Sequence, residues 1–586
     1  MRVPSVLTET AASNQPLVPL KDGAQKVAGP MAGAVQAVRS AATLTLATPD
    51  QRQREGQAYV GYATKHDTSP PLRDIRPIPV EQPATIRAMG EADEMEETIQ
   101  YKARPQIKDP VLQADLFPGL NNQETLAMPS TIVNFEGVSN LDGVYPPDTN
   151  GDVGLNHYVQ WVNLHFEIFN KQGGSVYGPA AGNSLWSGFG SPCETSNDGD
   201  PIVLYDSMAD RWVMGQFTAS SPYGECIAIS TTGDPTGSYY RYFFQFSTKT
   251  FYDYPKLGIW PDGYYLTANR FGGGGHTYQG ASAIVLDRSS MLNGQTASYQ
   301  EFPTSTSYGT LLPADLYGST LPSSGEPNFI AEIGSSALHL WKLHVDWTTP
   351  SNSSFSGPTA IPVAVYNQLC PTTSNCVPQP GTTVGLDGLG DRLMNRLVYR
   401  NFSSFETLLV NHSVNAASSG IIAGIRWYEI RDPNGTPYLY QQSTFSPDSD
   451  SRWMGSIAMD QAGDIALGYS VSSSSVYPSI RFTGRLATDT LGVMTQGETT
   501  MIAGSGSQTG SYNRWGDYSS MSIDPSDDCT FWYTQEYMPT TGTAPWQTRI
   551  GSFKFPNCGG PTPTATPTPT ASNTPTPTAS NTPTPT

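Results

Sequence analysis

Residues 514–537 read RWGDYSSMSIDPSDDCTFWYTQEY. An alternating run leads into Asp524, residues 525–528 supply a turn, and an aromatic run follows at 529–537. Proline and aspartate favour turn geometry, and side chains alternate between the faces of an extended chain, so the stretch predicts two antiparallel strands joined by a short turn. Looser copies recur along the chain. Anchoring each on the turn residue that ends its first strand gives Asp152, Asp206, Asp262, Gly334, Asn401, Asp460 and Asp524, at intervals of 54, 56, 72, 67, 59 and 64 residues. After the anchors come HYVQWVN, RWVMGQF, GYYLTAN, LHLWKL, ETLLVNH, DIALGYS and CTFWYT, each rich in β-branched, aromatic or leucine residues.

A repeat of this length has room for a four-stranded antiparallel blade with its loops. The expectation is an all-β protein, a β-propeller of about seven four-stranded blades over residues 130–558. Residues 131–138 would supply the outer strand that closes the ring on the last blade. The fourth unit is the weakest match, so six or eight blades stay open, and a pair of β-sandwiches is the rival architecture.

Bulk composition agrees with short strands and turns: among 586 residues there are 56 Gly, 49 Pro, 30 Tyr and 11 Trp. A net charge of −19 disfavours nucleic acid and anionic membranes as partners, because the summed field repels polyanions. No apolar run reaches the length of a membrane span. The six cysteines fall as Cys193/Cys226, Cys370/Cys376 and Cys529/Cys558, without the short paired spacing of a zinc site. Pairing between sequence neighbours suits three local disulfides and an oxidising compartment, against the alternative of six reduced, buried thiols.

The two ends differ in texture from the repeat. Residues 1–125 show no sustained period and read as a low-order leader or pro-segment, with one short helix expected near 91–101. The start lacks a basic and then apolar signal sequence, so the true start is expected upstream of Met1. Residues 559–586 form a Thr/Pro-rich linker that favours extended polyproline II and carries threonines suited to O-glycosylation; it stops mid-repeat.

The segments DTNGDVGLNHYVQWVN, GDPIVLYDSMADRWVMGQF, YPKLGIWPDGYYLTANRF, DRLMNRLVYRNF, RWMGSIAMDQAGDIALGYS and the 514–537 stretch resemble a poorly characterised group of secreted bacterial β-propeller proteins, loosely similar to sialidase-type repeats. The resemblance covers about 130–558 and implies export and a propeller, with no reaction attached. Around Asp460 the chain departs from the sialidase Asp-box: glycine arrives one residue late, at Gly463, and no aromatic follows where one is expected.

Candidate functional residues lie just upstream of the anchors. Asp198, Tyr254, Glu326 and Arg452 sit eight residues before theirs, Asp200 six, Arg514 ten, and Arg392 nine. Even offsets put side chains on one face of an unbroken strand; Arg392 joins only through a bulge, and Gly516 is a further bulge candidate. If these strands line the channel, their starts converge on its mouth. Arg392, Arg452 and Arg514, with Tyr254 and Asp517, would then bind a ligand, the guanidinium fork suiting a carboxylate or sulfate. Asp198, Asp200 and Glu326 are the candidate acid and base, given that glycosidases need paired carboxyls. The competing reading is charge pairing that locks the ring. Asp148, Asn150 and Asp152 resemble an oxygen-rich Ca²⁺ loop, although Val153 stands where such a loop needs glycine. No other cofactor is expected, and a monomer is.

The leading expectation is a secreted or cell-surface propeller that binds a glycan or an extracellular protein without catalysis. A glycoside hydrolase acting on anionic or plant-type polysaccharide is the alternative. A structural adhesion module is the third.

Overall fold

The computed structural model of the protein describes residues 58–78, 87–88, 105–117, 126–273, 277–510 and 513–559. The helix expected near 91–101 and the Thr/Pro-rich segment lie outside them. The described chain is all-β, and its helices are single turns such as Arg288–Leu292. No helix among the described residues is long and apolar enough to cross a membrane.

The strands form consecutive antiparallel meanders. Their first strands are β1 (Asn150–Val153), β2 (Ile202–Asp206), β3 (Phe251–Trp260), β4 (Leu312–Tyr317), β5 (Met394–Asn401), β6 (Ser451–Met459) and β7 (Ser520–Ile523). Each first strand packs against the next, and β7 packs against β1, so the row closes around an axis in the manner of a β-propeller. One neighbouring pair is also hydrogen-bonded: β4 runs parallel to β5, Ala314 opposite Leu397 through Tyr317 opposite Arg400. The strands approach closely; a Cβ on Gly258 of β3 would stand 2.3 Å from the Ala314 carbonyl oxygen.

Sheets stacked about an axis are covered on both faces, which explains why many strands here are buried at every position rather than at alternate ones. Phe251–Trp260, Gly263–Gly272 and Ser451–Met459 are buried throughout. Aromatic clusters fill the gaps between meanders: Trp161, Trp186 and Trp212 in one, Trp260, Phe329 and Tyr399 in another, Phe482, Phe531 and Phe553 in a third.

The outer strand of the last meander comes from far upstream. Val133–Ser139 pairs antiparallel with Gln547–Lys554, joining the first part of the repeat to its last sheet. The segment before it also adds strands at outer edges. Tyr59–Tyr62 pairs with Ser298–Pro303, Lys65–Thr68 with Tyr239–Ser247, and Leu126–Ala127 with Gln496–Ile502. The leader is thus partly built into the sheets. Three disulfides join Cys193 to Cys226, Cys370 to Cys376, and Cys529 to Cys558.

The fourth unit departs from the sequence reading. Its first strand is Leu312–Tyr317, LPADLY, and Asn328–Ile333 is its second, so Gly334 ends the second strand and LHLWKL lies in the third. A proline and an aspartate within six residues hid β4 from a pattern search for apolar alternation. Moving the anchor from Gly334 to the end of β4 relocates Glu326, with consequences for the site.

Candidate functional site

The residues singled out from sequence divide between the two ends of the ring. At the N-terminal ends of the first strands the backbone turns left-handed in residues that disfavour it: Asp148 (φ 49°), Asp200 (φ 46°), Tyr254 (φ 55°), Met454 (φ 56°) and Asp517 (φ 58°). Register shifts between Asp253 and Lys256 and between Trp453 and Ser456 mark bulges there. The bulges break the even-offset parity and fold the side chains inward.

Most of these side chains are buried, Asp198 and Arg514 being partly exposed, and neighbouring groups occupy their charges. Arg392 makes a fork to Asp391 at 2.8 and 3.1 Å. Arg514 pairs with Asp517. Arg452 holds Asp448 at 2.7 and 3.0 Å and Glu498 at 2.6 and 3.2 Å. Glu498 belongs to the outer strand Gln496–Ile502, so Arg452 points along its own sheet rather than at a channel. Tyr254 lies under Lys256 Nζ (3.5 Å from the ring centre) and the Arg392 guanidinium (4.7 Å), with Tyr518 edge-on. Asp200 is close enough to help burial push the Glu225 carboxyl well above its usual range. Half-buried Asp198 accepts the Ala219 N–H at 2.8 Å. The segment 369–392 covers this end: its Leu369, Val377 and Leu386 pack with Trp453, Met454 and Trp515. Within this segment, burial pushes Asp387 up to about 6, against the pull of Arg514 and Arg392.

Glu326 is not among them. It precedes the second strand of the fourth meander, where its carbonyl accepts from the Trp260 indole at the C-terminal end of β3. The structure therefore places it at the opposite end from Asp198 and Asp200, and does not bring the three carboxyls together.

That opposite end is open. A cavity of about 600 Å³ lies among the C-terminal ends of the first strands, lined by Asp152, Tyr205, Asp315, Tyr317, Arg396 and Asp528, with Leu155, Met208 and Leu321 toward its rim. Arg396 of β5 is buried at its floor and ties the ring together. Nη1 donates to Asp152 Oδ2 (3.0 Å), Asp315 Oδ2 (3.3 Å) and the Tyr317 hydroxyl (3.1 Å). Nη2 donates to the carbonyls of Gly151 (3.0 Å) and Val203 (3.3 Å) and to Ser520 Oγ (3.2 Å). One side chain thereby reaches β1, β2, β4 and β7. Burial disfavours its charge, but Asp152, Tyr317 and Asp315 outweigh that and hold the guanidinium protonated. Burial pushes Asp315 up to about 6, tempered by Arg396.

The proposed calcium set does not fit a metal here. Asp152 accepts from Val153 N, Tyr205 N and Arg396, and the guanidinium would repel a cation. Asn150 bridges to Pro201 O and Val203 N, and Asp148 accepts from Asn163. No group of three or more His, Cys, Asp or Glu among the described residues is placed to hold a metal ion.

Sequence reasoning singled out Asp152 for another role and missed Arg396, Asp315 and Tyr317. Asp315 and Tyr317 lie in the unrecognised β4. Arg396 had one available signal, a charged residue placed directly before the apolar run Leu397–Tyr399 of β5.

No protein-family model matches the chain, and no curated protein matches it. Solved structures with partial likeness include a protein of unknown function from Dyadobacter fermentans, 12% identical over 73% of this chain and 99% of that one, with a TM-score of 0.33. An exo-β-1,3-galactanase from Clostridium thermocellum is 11% identical over 60% of this chain and 81% of its own, TM-score 0.28. The catalytic domain of a Coprinopsis cinerea α-L-arabinofuranosidase is 12% identical over 60% and 90%, TM-score 0.25. At these scores the overlap is partial, and no residue role transfers.

Proposed function

We propose that this chain is an extracellular, seven-bladed β-propeller over residues 130–558, carrying a leader (1–125) and a Thr/Pro-rich linker (559–586), and that it binds glycan at the C-terminal mouth of its channel. The observation that carries this reading is the cavity itself. Its wall is dense in hydrogen-bond acceptors and hydroxyls (Asp152, Asp210, Asp315, Asp528, Tyr205, Tyr317), a chemistry suited to a hydroxyl-rich ligand, with aliphatic contacts from Leu155 and Leu321. The three disulfides support an oxidising compartment. The N-terminal residues, Asp198, Asp200, Tyr254, Arg392, Arg452, Arg514 and Asp517, are read as the framework of the ring, because the arginines are occupied by neighbouring carboxylates.

One observation favours glycoside hydrolysis as a second reading. Asp152 and Asp315 each lie within 3.3 Å of the same nitrogen, so their carboxyls are within roughly 6 Å of each other, near the spacing glycosidases use. Asp315, pushed up to about 6, has the character of an acid, and Asp152 is the second carboxyl beside it.

A glycan array and a panel of chromogenic glycosides, run on wild type, Ser319→Trp, Asp315→Asn and Asp200→Asn, test both. Ser319→Trp fills the mouth from an exposed wall position and should abolish binding. Turnover lost in Asp315→Asn with binding retained would support hydrolysis. Binding that survives Ser319→Trp but is lost in Asp200→Asn would move the site to the other end. Neither binding nor turnover in wild type would leave a structural module and overturn the proposal.

A further inference from the structure

We propose that the ligand is an acidic glycan, and that the Arg431 guanidinium, clamped between Phe405 and Tyr440 outside the cavity, takes the carboxylate or sulfate of one of its sugars. The inference rests on the reading of the cavity as a glycan site and adds the charge class of the glycan.

The cavity has no cation to spare. Arg396 is the only basic side chain among the described residues that line it, and both of its terminal nitrogens are taken up by protein acceptors. The same face of the ring supplies one further out. Arg431 ends the third strand of the fifth meander, Ala423–Arg431, opposite Thr407 on the second strand and Tyr438 on the fourth. First and third strands of a meander run the same way, so Arg431 lies at the same end of the ring as the cavity, two strand spacings or about 10 Å from β5.

Two aromatic rings hold the guanidinium in place. Its carbon lies 3.7 Å from the ring centre of Phe405 and 3.7 Å from that of Tyr440. Phe405 directly precedes the second strand, Glu406–Asn415, and Tyr440 belongs to the fourth, Tyr438–Phe445, so Arg431 is flanked from both sides. Nε donates to Glu429 Oε1 at 2.7 Å, while Nη1 and Nη2 make no hydrogen bond among the described residues; the side chain is 19% exposed. The neighbouring acids are occupied. Glu429 also accepts from Thr407 and Gln441, and Asp432 accepts the Thr436 N–H at 2.9 Å. A planar cation with its outer nitrogens free and its freedom already restricted suits bidentate capture of a carboxylate or sulfate.

A row of planar groups joins this point to the cavity. Phe405 stacks on Phe402, ring centres 4.8 Å apart, the Arg400 guanidinium lies 5.9 Å from the Phe402 ring, and Arg400 forks to Asp528 of the cavity wall. Phe402, Phe405 and Tyr440 are all partly exposed, so a saccharide seated in the cavity can continue outward over them.

Calorimetric titration of the full chain with oligogalacturonate, with its carboxyl-reduced neutral form and with a sulfated galactan oligosaccharide tests the assignment. Wild type should bind at least one acidic form about tenfold or more tighter than the neutral one, and the acidic form that binds names the anion. Arg431→Gln should erase that preference while the neutral form binds as before. Arg431→Lys, which keeps the charge without the fork, should lose most of it; if the Gln variant fails to fold, the Lys variant decides. Equal binding of neutral and acidic forms by wild type, or a preference that survives in Arg431→Gln, overturns the proposal and leaves the cavity reading standing. Acidic binding lost in Arg431→Gln but retained in Ser319→Trp keeps Arg431 as the anion site and removes the cavity reading. Binding of none of the three overturns both.

Discussion

Arg396 shows how one residue can set the geometry of a ring. Its two terminal nitrogens reach acceptors on four neighbouring strands, and the side chain is 2% exposed. Removing one partner of a buried pair leaves the others uncompensated in a low-dielectric interior. Arg396→Met should therefore destabilise the fold by about 3–5 kcal/mol, measured by urea unfolding. A loss under about 1 kcal/mol would mean that Asp152 and Asp315 go neutral at little cost, and that the arginine is not the tie described above. The arginines chosen from sequence occupy a different position in this respect. Arg392, Arg452 and Arg514 each satisfy carboxylates within their own part of the chain. Offsets along a strand indicate which face a side chain shares, but not which partner arrives from the next sheet.

At the scale of elements, the outer edges of the sheets explain the leader. An open edge strand offers unpaired N–H and C=O groups to any passing chain. Here Tyr59–Tyr62, Lys65–Thr68 and Leu126–Ala127 cover three such edges. The outer strands Ser175–Ala181 and Ser354–Pro362 instead carry a Gly-Pro step and a register shift, and proline has no N–H to offer. The segment 105–117 is anchored differently. Asp109 accepts from fully buried Arg426 at 2.7 Å and from Thr444 Oγ1 at 2.7 Å. Asp109→Ala should cost about 3–5 kcal/mol and lower the melting temperature, because Arg426 is left charged and unpaired. An unchanged melting temperature would show that this segment is only loosely attached. Composition, rich in proline and charge, suggested low order for residues 1–125; what composition cannot express is that edge strands elsewhere in the chain supply the missing hydrogen-bond partners.

For the whole molecule, stability should depend on pH in a direction set by several buried acids. Asp315 and Asp387 are pushed up to about 6, Glu326 to about 7 and Asp460 to about 8, chiefly by burial. Each lies above the value near 4 that it has in an unfolded chain. The stability these groups contribute is fully present below that unfolded value and is lost as pH rises through the folded ones. Asp448, held down by Arg452, and Asp527, held down by the Thr530 N–H and hydroxyl, act in the opposite sense and lose their contribution in acid. Calorimetric melting temperatures should thus be highest near pH 4 and fall as pH rises to about 8, most steeply between about pH 4 and pH 6, where all four groups contribute; a curve that rises over that interval would contradict the assignment. The alternation and turn chemistry of 514–537 and its copies were enough, by themselves, to establish an all-β repeat protein with propeller-type meanders. Local disulfides and an outer strand drawn from residues 131–138 were legible too, because all of these depend on spacing along one chain. The site was not. Asp315, Tyr317 and Arg396 meet only because β4 and β5 run side by side in parallel, and Asn401 meets the Leu321 carbonyl only because a loop of one meander lies on the hairpin of the next. Periodicity reports which residues a strand buries; which buried charges meet is decided by packing between sheets, where the desolvation cost of each charge must be offset by a partner from elsewhere in the chain.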